Sequence, residues 1–286
     1  MIILRILATI LVLAGAFYLF SLFPRGSRRA DMLSFQGLAF AHRGLHGGPV
    51  PENSMPAFAA AVRRELPIEL DIHLTRDKKI IVFHDDNMMR LCGVNYAPED
   101  LTWAQIRQLK LAGTNYGVPL FRDVLMMVDG RVPLMIEIKL PDQDTDLCRR
   151  VYHLLRNYHG IYMIQSFNTF VLQWFKKNAP HILRGQLSYD LSKKKNDLPA
   201  ATYIALRFLM CNLIGRPDFI SYRFQNRKNI SLIIIHYVFR CPTALWTIRN
   251  QSDYVESTKH HDMVIFEGFL PAPVLKEPKR GFFKWV

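Results

Sequence analysis

From residue 38 onward the chain alternates short apolar runs with amphipathic stretches. The runs are LAFA (38–41), PIELDI (67–72), KIIVFH (79–84), VPLMIEI (132–138), IYMIQSF (161–167), ILRGQLS (182–188), PDFISY (217–222), ALWTI (244–248) and MVIFEGF (263–269). Between them, SMPAFAAAVRREL, PEDLTWAQIRQLK, LFRDVLMMV and DLCRRVYHLLRNY carry apolar residues at helical spacing. Strand-then-helix units repeated in this way predict a parallel sheet, and this many of them predict an α/β fold of the TIM (β/α)8 barrel class. Nine runs compete for eight places. KIIVFH follows PIELDI after only the turn-like TRDK, which predicts a hairpin return instead of a crossover, so it is the surplus. A doubly wound open sheet is the alternative, but no glycine-rich phosphate fingerprint opens any of the helices.

Two stretches depart from this rhythm. Residues 6–23, ILATILVLAGAFYLFSLF, hold no charge and would span roughly 27 Å as a helix, close to a bilayer core. Ala14-Gly15-Ala16 resembles a signal cleavage site, yet the apolar run continues past it, which favours an uncleaved transmembrane helix. The expected organisation is therefore a transmembrane anchor at 1–24, a linker at 25–37 and a barrel at 38–286. Arg25, Arg28 and Arg29 follow the span and only Arg5 precedes it, so the positive-inside rule predicts a single-pass protein of the cell membrane with its catalytic domain in the cytoplasm. The second stretch, about 191–237, reads as an apolar and basic insert. It holds eight Lys or Arg against two Asp around the run ATYIALRFLMCNLI (201–214), which suits either an interfacial helix or a very apolar core helix.

Composition narrows the setting. At 286 residues the chain fits one barrel and little more. Its net charge of +13 and pI near 9.7 point to polyanionic surfaces, and its mean hydropathy of +0.03 is high for a soluble enzyme. The charge clusters at the anchor, the 191–237 segment and the tail KRGFFKWV, each beside apolar residues, which predicts docking on anionic membrane lipid and no nucleic acid partner. No feature predicts a protein partner. Cys92, Cys148, Cys211 and Cys241 lie far apart without metal spacing and read as small buried residues.

In a barrel of this class chemistry sits at the C-terminal ends of the strands. Those ends offer His42-Arg43, Glu69 and Asp71, His84-Asp85, Glu137 and Lys139, Gln165, and Trp246. Glu69 and Asp71 are two apart and share a face, as do Glu137 and Lys139. Three converging carboxylates repel unless a cation compensates them, and an all-oxygen set favours Mg²⁺ or Ca²⁺ over Zn²⁺. His42 and His84 suit an acid–base pair near neutral pH, and Arg43 and Lys139 suit a phosphate clamp. Metal, acid–base pair and clamp together describe displacement at phosphorus. Each motif alone is more often structural: a Glu-x-Asp is commonly a salt-bridged strand edge, and a His-Asp a simple hydrogen bond.

The series AHRG…PENS…IELDIHLTRD…VFHDD…IEIK…SFN…WTI resembles the glycerophosphodiester phosphodiesterase family from about Leu38 to Phe269, and the 191–237 segment resembles that of a membrane-bound subgroup. The resemblance implies a barrel that hydrolyses glycerophosphodiesters to an alcohol and glycerol 3-phosphate with a divalent metal. It implies His42 and His84 as the catalytic pair, Glu69, Asp71 and Glu137 as metal ligands, Arg43 and Lys139 as phosphate contacts, Trp246 as a substrate contact and Glu52 as a glutamate near the metal. Three positions depart from the family pattern: Asp77-Lys78 replaces Asp-Gly in the turn, Arg249 replaces an asparagine after WTI, and Glu267 stands where the last strand usually ends in Thr-Asp. The alternative activity is a lysophospholipase D acting on membrane lysophospholipids, with the 201–214 run as an apolar groove. A catalytically silent headgroup-binding barrel is the non-enzymatic alternative, and the retention of every histidine and carboxylate argues against it.

Overall fold

The computed structural model describes residues 1–140, 144–190 and 199–272. The KKK run at 193–195 and the tail at 279–286 lie outside them. Among the described residues nine strands form: β1 (Ala39–His42), β2 (Ile68–Leu74), β3 (Ile80–Val82), β4 (Leu134–Ile138), β5 (Tyr162–Ser166), β6 (Arg184–Ser188), β7 (Phe219–Arg223), β8 (Thr243–Ile248) and β9 (Met263–Phe266). All but β3 are parallel neighbours, in the order β1-β9-β8-β7-β6-β5-β4-β2, and a β1–β2 pairing closes the ring. The expected (β/α)8 barrel is present. β3 pairs antiparallel with β2, as the short TRDK turn predicts, and adds no stave. The chain between β3 and β4 makes an excursion with a small core of its own, built on Phe83, Met88, Leu91, Ile106 and Leu111.

Alternation along the strands divides the barrel into an outer and an inner face. Outward residues such as Ile68, Leu70, Ile72, Leu134 and Ile136 pack under the helices. Inward residues change character along each strand. Phe40, Met135, Met163, Phe219 and Met263 fill the N-terminal end with one apolar cluster. Two residues further on, the same face presents His42, Glu137 and Gln165. The N-terminal end is therefore a plug, and the C-terminal end a polar mouth.

Residues 25–37, expected as a linker, complete that plug. Met32 and Phe35 are buried in the inner cluster beneath Phe40 and Met263. Arg25 donates from its backbone N–H to the Pro217 carbonyl (2.8 Å) and from Nη1 to that of Pro180 (2.6 Å). Arg28 donates to the His181 carbonyl (2.8 Å) and Arg29 to that of Phe239. These carbonyls precede β6, β7 and β8, so the three arginines bind the plug end of the barrel. They do not form the lipid-facing collar that their position after the span suggests.

The apolar run before them is one helix, Ile2–Leu22, long and apolar enough to cross a membrane. Residues 1–17 are exposed, whereas Ser21 and Leu22 are buried against the barrel. The 201–214 run is not a single helix. Helix Ala200–Arg207 ends where Leu209 turns to φ 57°, and a separate turn of helix follows at Asn212–Gly215. Nor is 191–237 one insert, because β7 lies within it and the barrel continues through it.

Phe35 is 3% exposed and its near neighbour Leu33 is 67% exposed, which gives an internal control. Phe35→Ala should lower unfolding stability by about 3–5 kcal/mol, the usual cost of emptying a buried aromatic site. Leu33→Ala should stay within about 0.5 kcal/mol. Denaturant titration in detergent checks both, and equal effects would mean that the segment does not seal the barrel.

Candidate active site

The mouth is assembled by register. Asp71 lies beside Glu137, and Glu137 beside Gln165, so three adjacent strands present one polar row; His42 lies beside Glu69 one strand over. Glu69, Asp71 and Glu137 are all buried, and one oxygen from each can lie within 4.8 Å of the others. Lys139, two residues beyond Glu137, bridges the pair, with Nζ 2.5 Å from Glu137 Oε1 and 3.2 Å from Asp71 Oδ1. The backbone N–H of Arg43 and the amide of Gln165 donate to Glu69 (3.2 and 3.3 Å), and Asn53 donates to Asp71 Oδ2 (2.9 Å).

The HRG turn owes its shape to its glycine. Arg43 and Gly44 both take positive φ (55° and 80°), which turns the chain sharply off β1. A Cβ on Gly44 would meet the Ala57 carbonyl carbon and the Phe58 ring at 2.9 Å, so only glycine lets this turn seat on the helix Met55–Arg63. The turn brings the Arg43 guanidinium to Glu52 (2.6 Å) and to within 3.7 Å of Asp71.

Charge in the cluster is unevenly shared. Burial pushes the Glu69 carboxyl well above the usual carboxylate range, with Asp71 and Glu137 pushing the same way against Arg43. Burial likewise raises Glu137 to about 7, although Lys139 pulls it down. At Asp71 burial also opposes ionisation, but Lys139, His84, Arg43 and His42 outweigh it and hold the group below its usual range. So Lys139 and Arg43 do not by themselves keep all three carboxylates ionised near neutrality. Asn53 Oδ1 and Gln165 Oε1 are buried oxygens with no hydrogen-bond partner among the described residues. Three clustered carboxylates short of positive charge, ringed by spare amide oxygens, fit a hard divalent cation.

Both histidines are held by carboxylates. His42 Nδ1 lies 2.5 Å from Glu267 Oε2, and His84 Nδ1 lies 2.6 Å from Asp85 Oδ1. Burial lowers both imidazoles below 6.5. Glu267 is ionised, held at about 2 by the His42 hydrogen bond against burial, with Arg249 adding to it. Its oxygen can only accept, so neutral His42 carries its proton on Nδ1 and leaves the Nε2 lone pair free. Ionised Asp85, bound also by Arg90, imposes the same tautomer on His84.

Glu52 stands outside the trio. Its oxygens accept from Arg43 and Arg90, so it positions guanidinium groups beside the mouth. Glu52, His84 and Asp85 also come close enough to share a metal, but the Glu52 oxygens and Asp85 Oδ2 already take arginine donors. Trp246 stands apart from the carboxylates, edge-on to Phe167 (5.9 Å) and Tyr189 (6.5 Å), with its indole N–H buried and unpartnered among the described residues. An open cavity of about 700 Å³ runs from His84, Glu137 and Lys139 to Phe167, Tyr189 and Leu206.

Residue-by-residue reading missed three participants. Asn53 follows Glu52 in PENS, and the charged neighbour drew the attention. Arg90 falls on a short helix far from any strand end, so no periodicity points to it. Glu267 looked like a departure that left one edge undefined, whereas it is the partner that orients His42. His73 shares the face of Asp71 but binds Glu99 (2.8 Å) and braces the excursion after β3.

Residues 42–254 match the Glycerophosphoryl diester phosphodiesterase family. A glycerophosphodiester phosphodiesterase of Bacillus altitudinis is 30% identical over 166 residues, 53% of this chain and 66% of that protein. A lysophospholipase D of Rattus norvegicus is 32% identical over 131 residues, 41% of this chain and 40% of that protein. The alignments thus span just under two thirds or less of these curated relatives. In fold the chain is similar to a phosphodiesterase of Oleispira antarctica solved with its product sn-glycerol-3-phosphate, with a TM-score of 0.68 at 19% identity over 82% of this chain and 94% of that one. With the match reaching from His42 at the end of β1 to the helix after β8, the chain belongs to the glycerophosphoryl diester phosphodiesterase family.

Proposed function

We propose that the protein hydrolyses glycerophosphodiesters to an alcohol and glycerol 3-phosphate. The observation that carries this reading is the buried trio Glu69, Asp71 and Glu137 lying between two histidines whose Nδ1 atoms are each held by a carboxylate. Glu69, Asp71 and Glu137 would hold a divalent metal, Mg²⁺ or Ca²⁺ by the all-oxygen donor set. Bound there, the metal supplies Lewis-acid polarisation of the phosphoryl oxygens and offsets their charge.

The chain's own groups account for the rest. Arg43 is tied to Glu52 and leans toward Asp71, so its guanidinium is held beside the cluster for bidentate contact with phosphate. Lys139 adds a second cation on the opposite side. One histidine, neutral, takes the proton of the attacking hydroxyl through Nε2. The other enters the step as an imidazolium, its charge supported by the carboxylate on its Nδ1, and delivers its Nε2 proton to the leaving alcohol oxygen. If the attacking hydroxyl is the substrate's own glycerol hydroxyl, a cyclic phosphate forms first. Water then opens it, with the two histidines exchanging roles. Burial lowers both imidazoles, which favours the base role, and the carboxylate on each Nδ1 acts the other way and supports the acid role. Trp246 would offer its unpartnered N–H to the substrate. The helix Ile2–Leu22 would anchor this barrel to a membrane.

Two measurements test the assignment. Release of glycerol 3-phosphate from glycerophosphodiesters should stop on treatment with a chelator and return with added metal, and Glu69→Gln or Asp71→Asn should lose that dependence along with activity. His42→Ala should cost about 10²–10⁴-fold, the usual range for a positioned acid–base group. Turnover that survives both chelation and Glu69→Gln would sink the metal assignment.

Glu267→Gln isolates the His42 partner. Burial lowers the His42 pKa and Glu267 raises it, so removing the carboxylate charge should move the His42 titration to lower pH, as followed by imidazole NMR of the metal-free protein. An unmoved or raised titration would show that Glu267 does not set the charge state of His42.

A further inference from the structure

The apolar helix leaves the barrel in a definite direction. Strands run from the plug to the mouth, and the chain after β7 returns from mouth to plug through Ile230–Ile233 and Ile234–Val238. Ser231 therefore lies toward the mouth, and Phe239 toward the plug. Phe23 packs edge-on against Phe239, with ring centroids 5.1 Å apart. Five residues earlier, Tyr18 hydrogen-bonds Ser231 (2.8 Å) and packs against Phe208 (6.5 Å). Arg216, at the plug end before β7, fixes this start by donating to the Phe20 and Phe23 carbonyls (2.9 and 2.8 Å). With falling residue number the helix thus climbs the barrel wall from plug to mouth. Before Tyr18 every residue is exposed, so residues 2–17 continue past the mouth for roughly 24 Å at 1.5 Å per residue. That length of apolar helix is close to the thickness of a bilayer hydrocarbon core.

We infer that the catalytic mouth faces the bilayer crossed by residues 2–17, an orientation that selects, of the two activities weighed from the sequence, the one in which the site draws a lysophospholipid from that leaflet. An anchor leaving from the plug end would have turned the mouth toward water. The mouth side carries the matching surface. Helix Ala200–Arg207 exposes Ile204, and Ile230 is exposed at the start of the helix after β7. Leu206, on the same helix as Ile204, lines the cavity that begins at His84, Glu137 and Lys139 and passes Phe167 and Tyr189. A polar pocket for phosphate and glycerol thus opens past Phe167 and Tyr189 to Leu206, and the helix that supplies Leu206 exposes Ile204 to the outside. A water-soluble diester has no use for such an apolar exit; an acyl chain does. Arg25, Arg28 and Arg29 are a barrel's height away, bound to carbonyls at the plug end, so apolar insertion carries the docking.

This inference rests on the proposed phosphodiester hydrolysis, and one experiment separates the two. The full chain with Cys92→Ser is reconstituted in nanodiscs containing doxyl-labelled phospholipid, and a fluorophore is attached at Ile204→Cys or at Gln36→Cys on the plug side. Quenching at 204 and none at 36 is expected; quenching at 36 or none at 204 overturns the orientation. In parallel, lysophospholipid in the nanodisc and a soluble glycerophosphodiester are supplied with Mg²⁺ or Ca²⁺. Lysophospholipid should be the faster substrate. Ile204→Glu, outside the cavity, should slow lysophospholipid turnover severalfold and leave the soluble diester unchanged. Hydrolysis of the soluble diester without the lipid overturns this inference and leaves the proposed function standing. Hydrolysis of neither overturns the proposed function itself.

Discussion

Burying three carboxylates at one point is the constraint on which the rest of the mouth depends. Each loses its hydration and each faces two like charges, so the cluster resists full ionisation. Lys139 and Arg43 answer part of this, and their placement follows from it. Lys139 sits two residues after Glu137 so that one strand supplies both an acid and its counter-ion. Arg43 needs a left-handed turn against a glycine to reach Asp71, and Glu52 with Arg90 holds it there. The remaining shortfall, seen in the raised Glu69 and Glu137, leaves electrostatic room that suits a divalent cation.

The barrel was legible because its physics is periodic. Buried parallel strands read as apolar runs, and a return after four turn-like residues can only be a hairpin, so the eight staves and the extra β3 followed from spacing. The site was legible for a related reason. Where an apolar strand suddenly carries a charge at its C-terminal end, alternation already says which face it takes. Asp71, Glu137 and Gln165 stand in one row because the parallel register repeats that rule on three strands.

What stayed hidden was non-periodic. Asn53 reaches the mouth from a loop and Arg90 from a single turn of helix (Met89–Cys92), where position depends on turn geometry that no apolar pattern records. Glu267 was visible yet unreadable, because its meaning lies in a contact with His42 across 225 residues of sequence. The stretch 25–37 misled for another reason. Its polar, arginine-rich composition is that of a tether, and only Met32 and Phe35 mark it as packed.

Those arginines also bear on what a net charge of +13 means. A cation after an apolar span is ordinarily read as a lipid or topology signal. Yet a parallel barrel leaves carbonyls at the plug end, just ahead of its strands, and these accept from any donor that packs over them. Arg25, Arg28 and Arg29 serve Pro180, His181 and Phe239 in that capacity, and Arg184, buried beneath them, serves Gly215 and Arg216 beside Asp218. Much of the basic character near the anchor is therefore spent inside the fold. The same contacts join the apolar helix to the barrel without a free hinge, so that helix and the segment that seals the barrel are one continuous support. The direction in which that helix leaves the barrel is then a property of the fold, set by Tyr18, Phe23 and Arg216.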